Sequence, residues 1–173
     1  TDANIQLSLS ATNCTFKVDT NRDGIWDYTY SSTVTNTAGL CGVTAYGTSF
    51  TDDWCVSSSC ETIPTPTPSP TPTPFPTPPT ACDDFNRANS TTVAGWTEQY
   101  GDWSINSSRL YGGGNEWWWI TYDNSSSGDA CLQARAIYGT GTAVKAVGLT
   151  GRWVTTNQNV MAKIQDNTGG GFF

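Results

Sequence analysis

Between residues 62 and 80 the chain reads TIPTPTPSPTPTPFPTPPT, and all nine of its prolines lie there, from Pro64 to Pro79. Proline lacks a backbone N–H, fixes its own φ, and drives the residue before it to extended geometry. A proline at nearly every second position therefore excludes both a helix and a sheet interior. The segment is expected to hold polyproline II at about 3.1 Å per residue, so Pro64 to Pro79 spans on the order of 50 Å if straight. Thr62, Thr65, Thr67, Ser69, Thr71, Thr73, Thr77 and Thr80 resemble the acceptors of O-glycosylated stalks. An unmodified linker is the plainer alternative. A ligand for a Pro-recognising domain fits less well, because such ligands carry basic residues nearby and this segment has none. Taken as 61–81, the spacer separates 1–60 from 82–173.

The flanks are rich in Thr, Ser, Gly, Asn and Val, and the chain carries eight Trp. That mixture favours pleated strands joined by polar turns. Charged residues make up only 13% of the 173, and Met161 is the single methionine, so long amphipathic helices are not expected. The formal charge is −7 with no His, and the eight Lys and Arg are scattered singly. A nucleic-acid partner would require clustered basic groups, so none is expected. No apolar run approaches the roughly 20 residues of a membrane span. No secretory leader is recognisable, and Thr1 reads as a mature or arbitrary start.

Six cysteines (Cys14, Cys41, Cys55, Cys60, Cys82 and Cys131) show no C-x-x-C spacing, and no His is present to complete a zinc site. Disulfides in an oxidising, extracellular compartment are the expected use, with buried thiols as the alternative. Sequence alone does not choose the pairing.

The C-terminal flank opens with DDFNRA, then GWTEQYGDWSINSSRLYG, and continues through the strand-like runs WWWITYD, ACLQARAIY, AVKAVGLTGRWV and NVMAKIQD, divided by Gly, Asn and Ser turns. The opening resembles the start of a concanavalin A-like, laminin-G-like jelly-roll domain, and AVGLTGRWV with NVMAKIQDN is similar to that family's middle strands. AGLCGVTAYGTSFTDDWCV (38–56) resembles the family's last strands, with NIQLSLS and CTFKVDTNRDGIWDYTY supplying the hairpins before them. The resemblance implies an all-β antiparallel sandwich written out of order: its C-terminal half in 1–60, the spacer, then its N-terminal half in 82–173. Either flank alone is short for a β-domain, whereas the two together reach about 150 residues, the size of one.

Two readings of that order stand side by side. The chain is one period of a tandem repeat, or a subunit whose sandwich is completed by a neighbouring copy. Both give linear, head-to-tail assembly of copies of this chain. The spacer is then the joint between successive modules, and Thr1 and Phe173 are the artificial breaks. A permuted monomer folded across the spacer is the alternative, opposed by the spacer's stiffness.

Asp19-Thr-Asn21-Arg-Asp23-Gly24-Ile25-Trp-Asp27 places side-chain oxygens at loop positions 1, 3, 5 and 9, glycine at 6 and the Ile25 carbonyl at 7. That is the oxygen spacing Ca²⁺ takes, and it resembles EF-hand and dockerin loops, except that Tyr30 stands at position 12 in place of the bidentate Glu. A Ca²⁺-binding hairpin turn is expected, or an ion-free Asx turn. Asn13, Asn89, Asn106 and Asn124 head N-x-Ser/Thr sequons and are candidate N-glycan sites. Trp117, Trp118 and Trp119 are a candidate sugar-stacking platform or core packing; along a strand Trp117 and Trp119 face one side and Trp118 the other.

No catalytic constellation is visible. There is no His, no nucleophile elbow and no Glu-x-Asp-x-Glu strand, and Asp52-Asp53 and Asp83-Asp84 are adjacent pairs that point opposite ways. The chain is expected not to be an enzyme. The leading expectation is a structural subunit or repeat period of an extracellular, glycosylated filament or cell-surface stalk. The alternative is a carbohydrate-binding adhesin module.

Overall fold

The computed structural model describes residues 2–57, 81–114, 116–125, 128–138 and 144–166. The Thr–Pro segment, with the polyproline geometry expected of it and all its candidate O-glycan sites, lies outside the described residues, as does Cys60.

The N-terminal flank supplies β1 (Asp2–Ser10), β2 (Asn13–Asp19), β3 (Tyr28–Thr33), β4 (Leu40–Tyr46) and β5 (Ser49–Ser57). The C-terminal flank supplies β6 (Ala81–Asp83), β7 (Trp96–Tyr100), β8 (Ser104–Ile105), β9 (Leu110–Gly112), β10 (Trp118–Tyr122), β11 (Ala130–Tyr138), β12 (Lys145–Thr155) and β13 (Gln158–Asp166). They form two antiparallel sheets, so the expected all-β sandwich is the observed one. The larger sheet runs β3-β2-β1-β11-β5-β9-β8, with β6 also on β5, and the smaller runs β13-β12-β4-β10-β7. Period-two alternation explains which faces meet. In β1, Ala3, Ile5, Leu7 and Leu9 are buried and belong to the core, and Cys14, Phe16 and Val18 continue that face on β2.

The flanks are interleaved in both sheets. β1 pairs with β11 from Asp2↔Ile137 to Leu9↔Ala130, and β11 pairs in turn with β5. In the other sheet β4 lies between β12 and β10. Neither flank closes a sandwich alone, so the missing half of each is supplied across residues 58–80. At Gly42 the backbones of β4 and β10 come so close that a Cβ there would sit 1.9 Å from the Ile120 carbonyl oxygen. The halves are packed as one core.

The strands on either side of the spacer meet. Val56 pairs with Ala81 and Cys55 with Cys82, and Cys55 and Cys82 form a disulfide with Cα atoms 4.1 Å apart. The residues that flank the spacer are thus neighbours in one sheet. The cysteine expectation is corrected at Cys14, a thiol that is not bridged to Cys41. They lie on different sheets: Cys14 on β2 opposite Leu9 and Ser32, and Cys41 fully buried on β4. Cys131 is disulfide-bonded, to a residue outside those described.

Two anchors hold the ends of the sandwich. At one end Trp54 packs on Trp96 (4.7 Å between ring centres) and Tyr122 (5.3 Å), and Phe85 packs on Trp96 (5.4 Å). Asp83 accepts a hydrogen bond from the Trp96 indole at 2.8 Å and two from Arg87. At the other end Arg152, fully buried with φ +51° in a bulge of β12, donates at 2.7 Å to the carbonyls of Gly128, Ala11 and Asn36. Three loops from both flanks are thereby tied to one guanidinium, and its planar fork of donors suits that task.

Candidate functional site

The seam between the flanks is the first functional feature. Besides the strand pairings it contains an ion pair, in which Arg135 on β11 grips the Asp2 carboxylate of β1 through Nε at 2.9 and 3.0 Å and through Nη2. The Arg135 hydrogen bond and charge hold the Asp2 carboxyl below its ordinary range, aided by Arg22 at 3.2 Å. Asp52 on β5 lies 3.6 Å from Arg135 and 3.9 Å from Arg109. Burial, then the neighbouring Asp53, nonetheless push its carboxyl up. These carboxylates serve an inter-strand charge network. Asp83 is held by Arg87 and Trp96, and Asp84 is exposed and accepts from the Asn86 amide at 3.0 Å.

The outer face of the smaller sheet is the second feature. Trp118 turns inward against Trp103, with ring centres 6.2 Å apart, while Trp117 and Trp119 turn outward, as alternation requires. Trp119 is flanked by Trp153 (5.6 Å) and Tyr100 (6.3 Å), and the Tyr100 hydroxyl donates to Glu116, which raises the phenol's pKa. Trp117 leans on Tyr46 (5.3 Å), and the Lys163 ammonium sits 4.1 Å from its ring centre. Beneath these rings Thr44 and Thr121 are fully buried. Burial lowers the Lys163 pKa. The rings are largely engaged with each other, which reduces the open area a sugar would stack on. The runs AYG, EQY and GRWV held the signal that Tyr46, Tyr100 and Trp153 would join the Trp cluster, but only the strand order brings them to one face.

The Asp19–Asp27 loop is the β2–β3 connection. Asp19, 2% exposed, accepts from the amides of Arg22 (2.6 Å) and Gly24 (3.1 Å) and from the Asn4 side chain (3.4 Å). Asn21 accepts from the Asp23 amide at 3.1 Å, Asp23 accepts from the Ile25 amide at 2.8 Å, and Asp27 takes both donors of Thr20. The Thr20 bonds lower the Asp27 pKa. Among the described residues no three Asp, Glu, His or Cys side chains converge on a common point for a metal ion. The Asp19, Asn21 and Asp23 oxygens are turned onto backbone N–H groups, and both Thr20 bonds fall on Oδ2 of Asp27.

The sequon residues Asn13, Asn89, Asn106 and Asn124 are all exposed. Among the described residues no helix is long and apolar enough to cross a membrane. Comparison with protein-family models and with curated proteins gives no match.

Proposed function

We propose that this chain is a structural subunit of an extracellular filament or cell-surface stalk, in which jelly-roll modules of the laminin-G-like kind are linked head to tail by exchange of half-domains. In the exchanged form, residues 2–57 of one copy complete the sandwich of residues 81–166 of the next. Every contact of the seam, including Cys55–Cys82 and Asp2–Arg135, is reproduced between copies, and the spacer becomes the joint. Exchange of this sort is a low-cost route to assembly, and an operation that does not close gives an open fibre.

The observation that carries the proposal is the adjacency of Val56 and Ala81 at the two ends of a proline-dense segment. Closing the sandwich within one chain forces a semi-rigid sequence to reverse direction, whereas bridging two sandwiches lets it run straight. The disulfides accord with an oxidising, extracellular compartment, and glycans on the Thr–Pro segment would stiffen and protect it.

Calcium at the β2–β3 loop belongs to the same proposal. Asp19, Asn21, Asp23 and Asp27, with the Ile25 carbonyl, would hold it, and its charge would offset the repulsion of three carboxylates on one loop. A carbohydrate-binding adhesin module is the weaker reading, because Lys163 and the neighbouring rings occupy much of the Trp117 and Trp119 faces. Negative-stain microscopy of native material tests the leading proposal. Beaded fibres are expected, and compact single particles without polymer would refute it.

A further inference from the structure

Asn106 and Arg109 exchange both backbone hydrogen bonds, N–H to carbonyl at 2.9 and 3.2 Å, so Ser107 and Ser108 alone form the loop between β8 and β9. Both hold positive φ, +53° and +57°. A two-residue hairpin loop with left-handed backbone at both positions has the form of a type I′ turn, which selects Asn-Gly, Asp-Gly or Gly-Gly because a Cβ opposes that conformation. Ser-Ser breaks the rule at the second position, where glycine is favoured. Packing does not account for it, since Ser107 and Ser108 are both exposed. The acceptor motif does. Asn106-Ser107-Ser108 is an N-glycan sequon, whose third residue has to carry a hydroxyl. Glycine at 108 would relax the turn and abolish the acceptor.

A second sequon, Asn89-Ser90-Thr91, is brought to the same turn. Ser90 and Ile105 form an antiparallel bridge through both of their backbone hydrogen bonds, at 3.1 and 2.8 Å, which sets Asn89 beside Asn106 at the next position. The Asn89 side-chain oxygen accepts from the Ser107 amide at 2.9 Å, and the Asn106 side-chain oxygen accepts from the Ser107 hydroxyl at 3.1 Å. Both side chains are exposed. In each, the turn engages the amide oxygen, and Nδ2, the atom that takes the sugar, is the other branch.

We infer that Asn89 and Asn106 are a paired N-glycan site at the β8–β9 turn, and that Ser108 is kept in a strained turn because it is the acceptor hydroxyl. The donor class is an oligosaccharide carried on a lipid diphosphate. Asn Nδ2 bonds to the anomeric carbon as the bond from that carbon to the diphosphate oxygen breaks. The lipid diphosphate leaves with the electron pair, and the amide proton passes to a base of the transferase. The inference rests on the extracellular routing in the proposal above and goes beyond the filament itself, since it holds for closed and exchanged chains alike.

Peptide mapping of the native chain tests the site. Releasing N-glycans with an amidase in heavy-oxygen water turns each occupied Asn into labelled Asp. Asn89 and Asn106 are expected to read as labelled Asp, and either one found as unmodified Asn overturns the pair. The turn is tested on the unglycosylated chain, made in a host that lacks the transferase. Ser108→Gly should raise the thermal midpoint by about 2–4 °C. Ser108→Thr, which keeps the hydroxyl, should not raise it. A Ser108→Gly chain that melts at or below wild type would show that the fold itself prefers serine there, and would overturn the role given to Ser108. Microscopy of the same native material reads the filament separately, so failure of the glycan pair and failure of the filament are distinct results.

Discussion

Cys55 and Cys82 stand opposite each other on β5 and β6 and are bridged, although 27 residues separate them in sequence. The strand before the Thr–Pro segment and the strand after it are therefore one ladder, sealed where the chain departs and returns. That seal fixes what the spacer can be: a closed loop in a single chain, or a cable between chains whose halves have changed partners.

The seal itself should stabilise the closed form. Constraining a loop of this length in the unfolded chain contributes on the order of 3 kcal/mol. Replacing both cysteines by serine should lower the unfolding free energy by about that amount in urea titration, with the strand content by circular dichroism retained.

Arg152 should be the costliest polar residue to remove. Arg152→Met leaves the carbonyls of Ala11, Asn36 and Gly128 without their donor in a buried site. A loss of about 3 kcal/mol or more is expected from chemical denaturation. Arg152→Lys should recover only part of it, since one ammonium cannot reproduce the planar fork.

The tryptophans should divide by face. Trp54→Ala empties a fully buried aromatic cluster and should cost about 3–5 kcal/mol. Trp117→Ala, on the outer face, should cost under about 1 kcal/mol. A large loss at Trp117 would show that the outer cluster is structural at its centre as well.

Acid should loosen the seam through Asp2. Its carboxyl is held below the ordinary value by Arg135, so the bonus is fully present above the unfolded-state pKa of about 3.9 and is lost as pH falls through the lower folded value. Wild-type stability should decline between about pH 5 and pH 2, and Asp2→Asn should flatten part of that slope. Equal slopes for the two proteins would contradict this assignment.

The β2–β3 loop can be tested with calcium alone. Calorimetry should show a weak, extracellular-range binding heat that disappears in the Asp19→Ala, Asp23→Ala double variant. Identical heats in both proteins would remove calcium from the account.

Much of the fold was legible from residue order, for local reasons. Ala3, Ile5, Leu7 and Leu9 alternate with polar neighbours and can only be a half-buried strand, and Trp117, Trp118 and Trp119 had to divide between two faces. The half-domain resemblance also anticipated that β1 to β5 and β6 to β13 would complete one another. What could not be read was long-range. Nothing near Arg152 announces that its guanidinium will meet carbonyls from Ala11 and Asn36, more than a hundred residues away. The return of the spacer to its starting edge depends on Val56 meeting Ala81, a pairing that the stiffness of the intervening prolines argued against. Cys14 illustrates the same gap: six cysteines suggested bridges throughout, but its strand neighbours Leu9 and Ser32 offer no sulfur.

The central claim is that copies of this chain exchange half-domains along a filament. Isotope-labelled and unlabelled chains, mixed while reduced and unfolded and then refolded in oxidant to form fibres, test it most directly. Proteolysis without reduction releases the Cys55–Cys82 peptide pair for mass spectrometry. The account predicts that a large share of these pairs join a labelled peptide to an unlabelled one. Pairs that are always wholly labelled or wholly unlabelled would show that every sandwich closes within its own chain, and would contradict it.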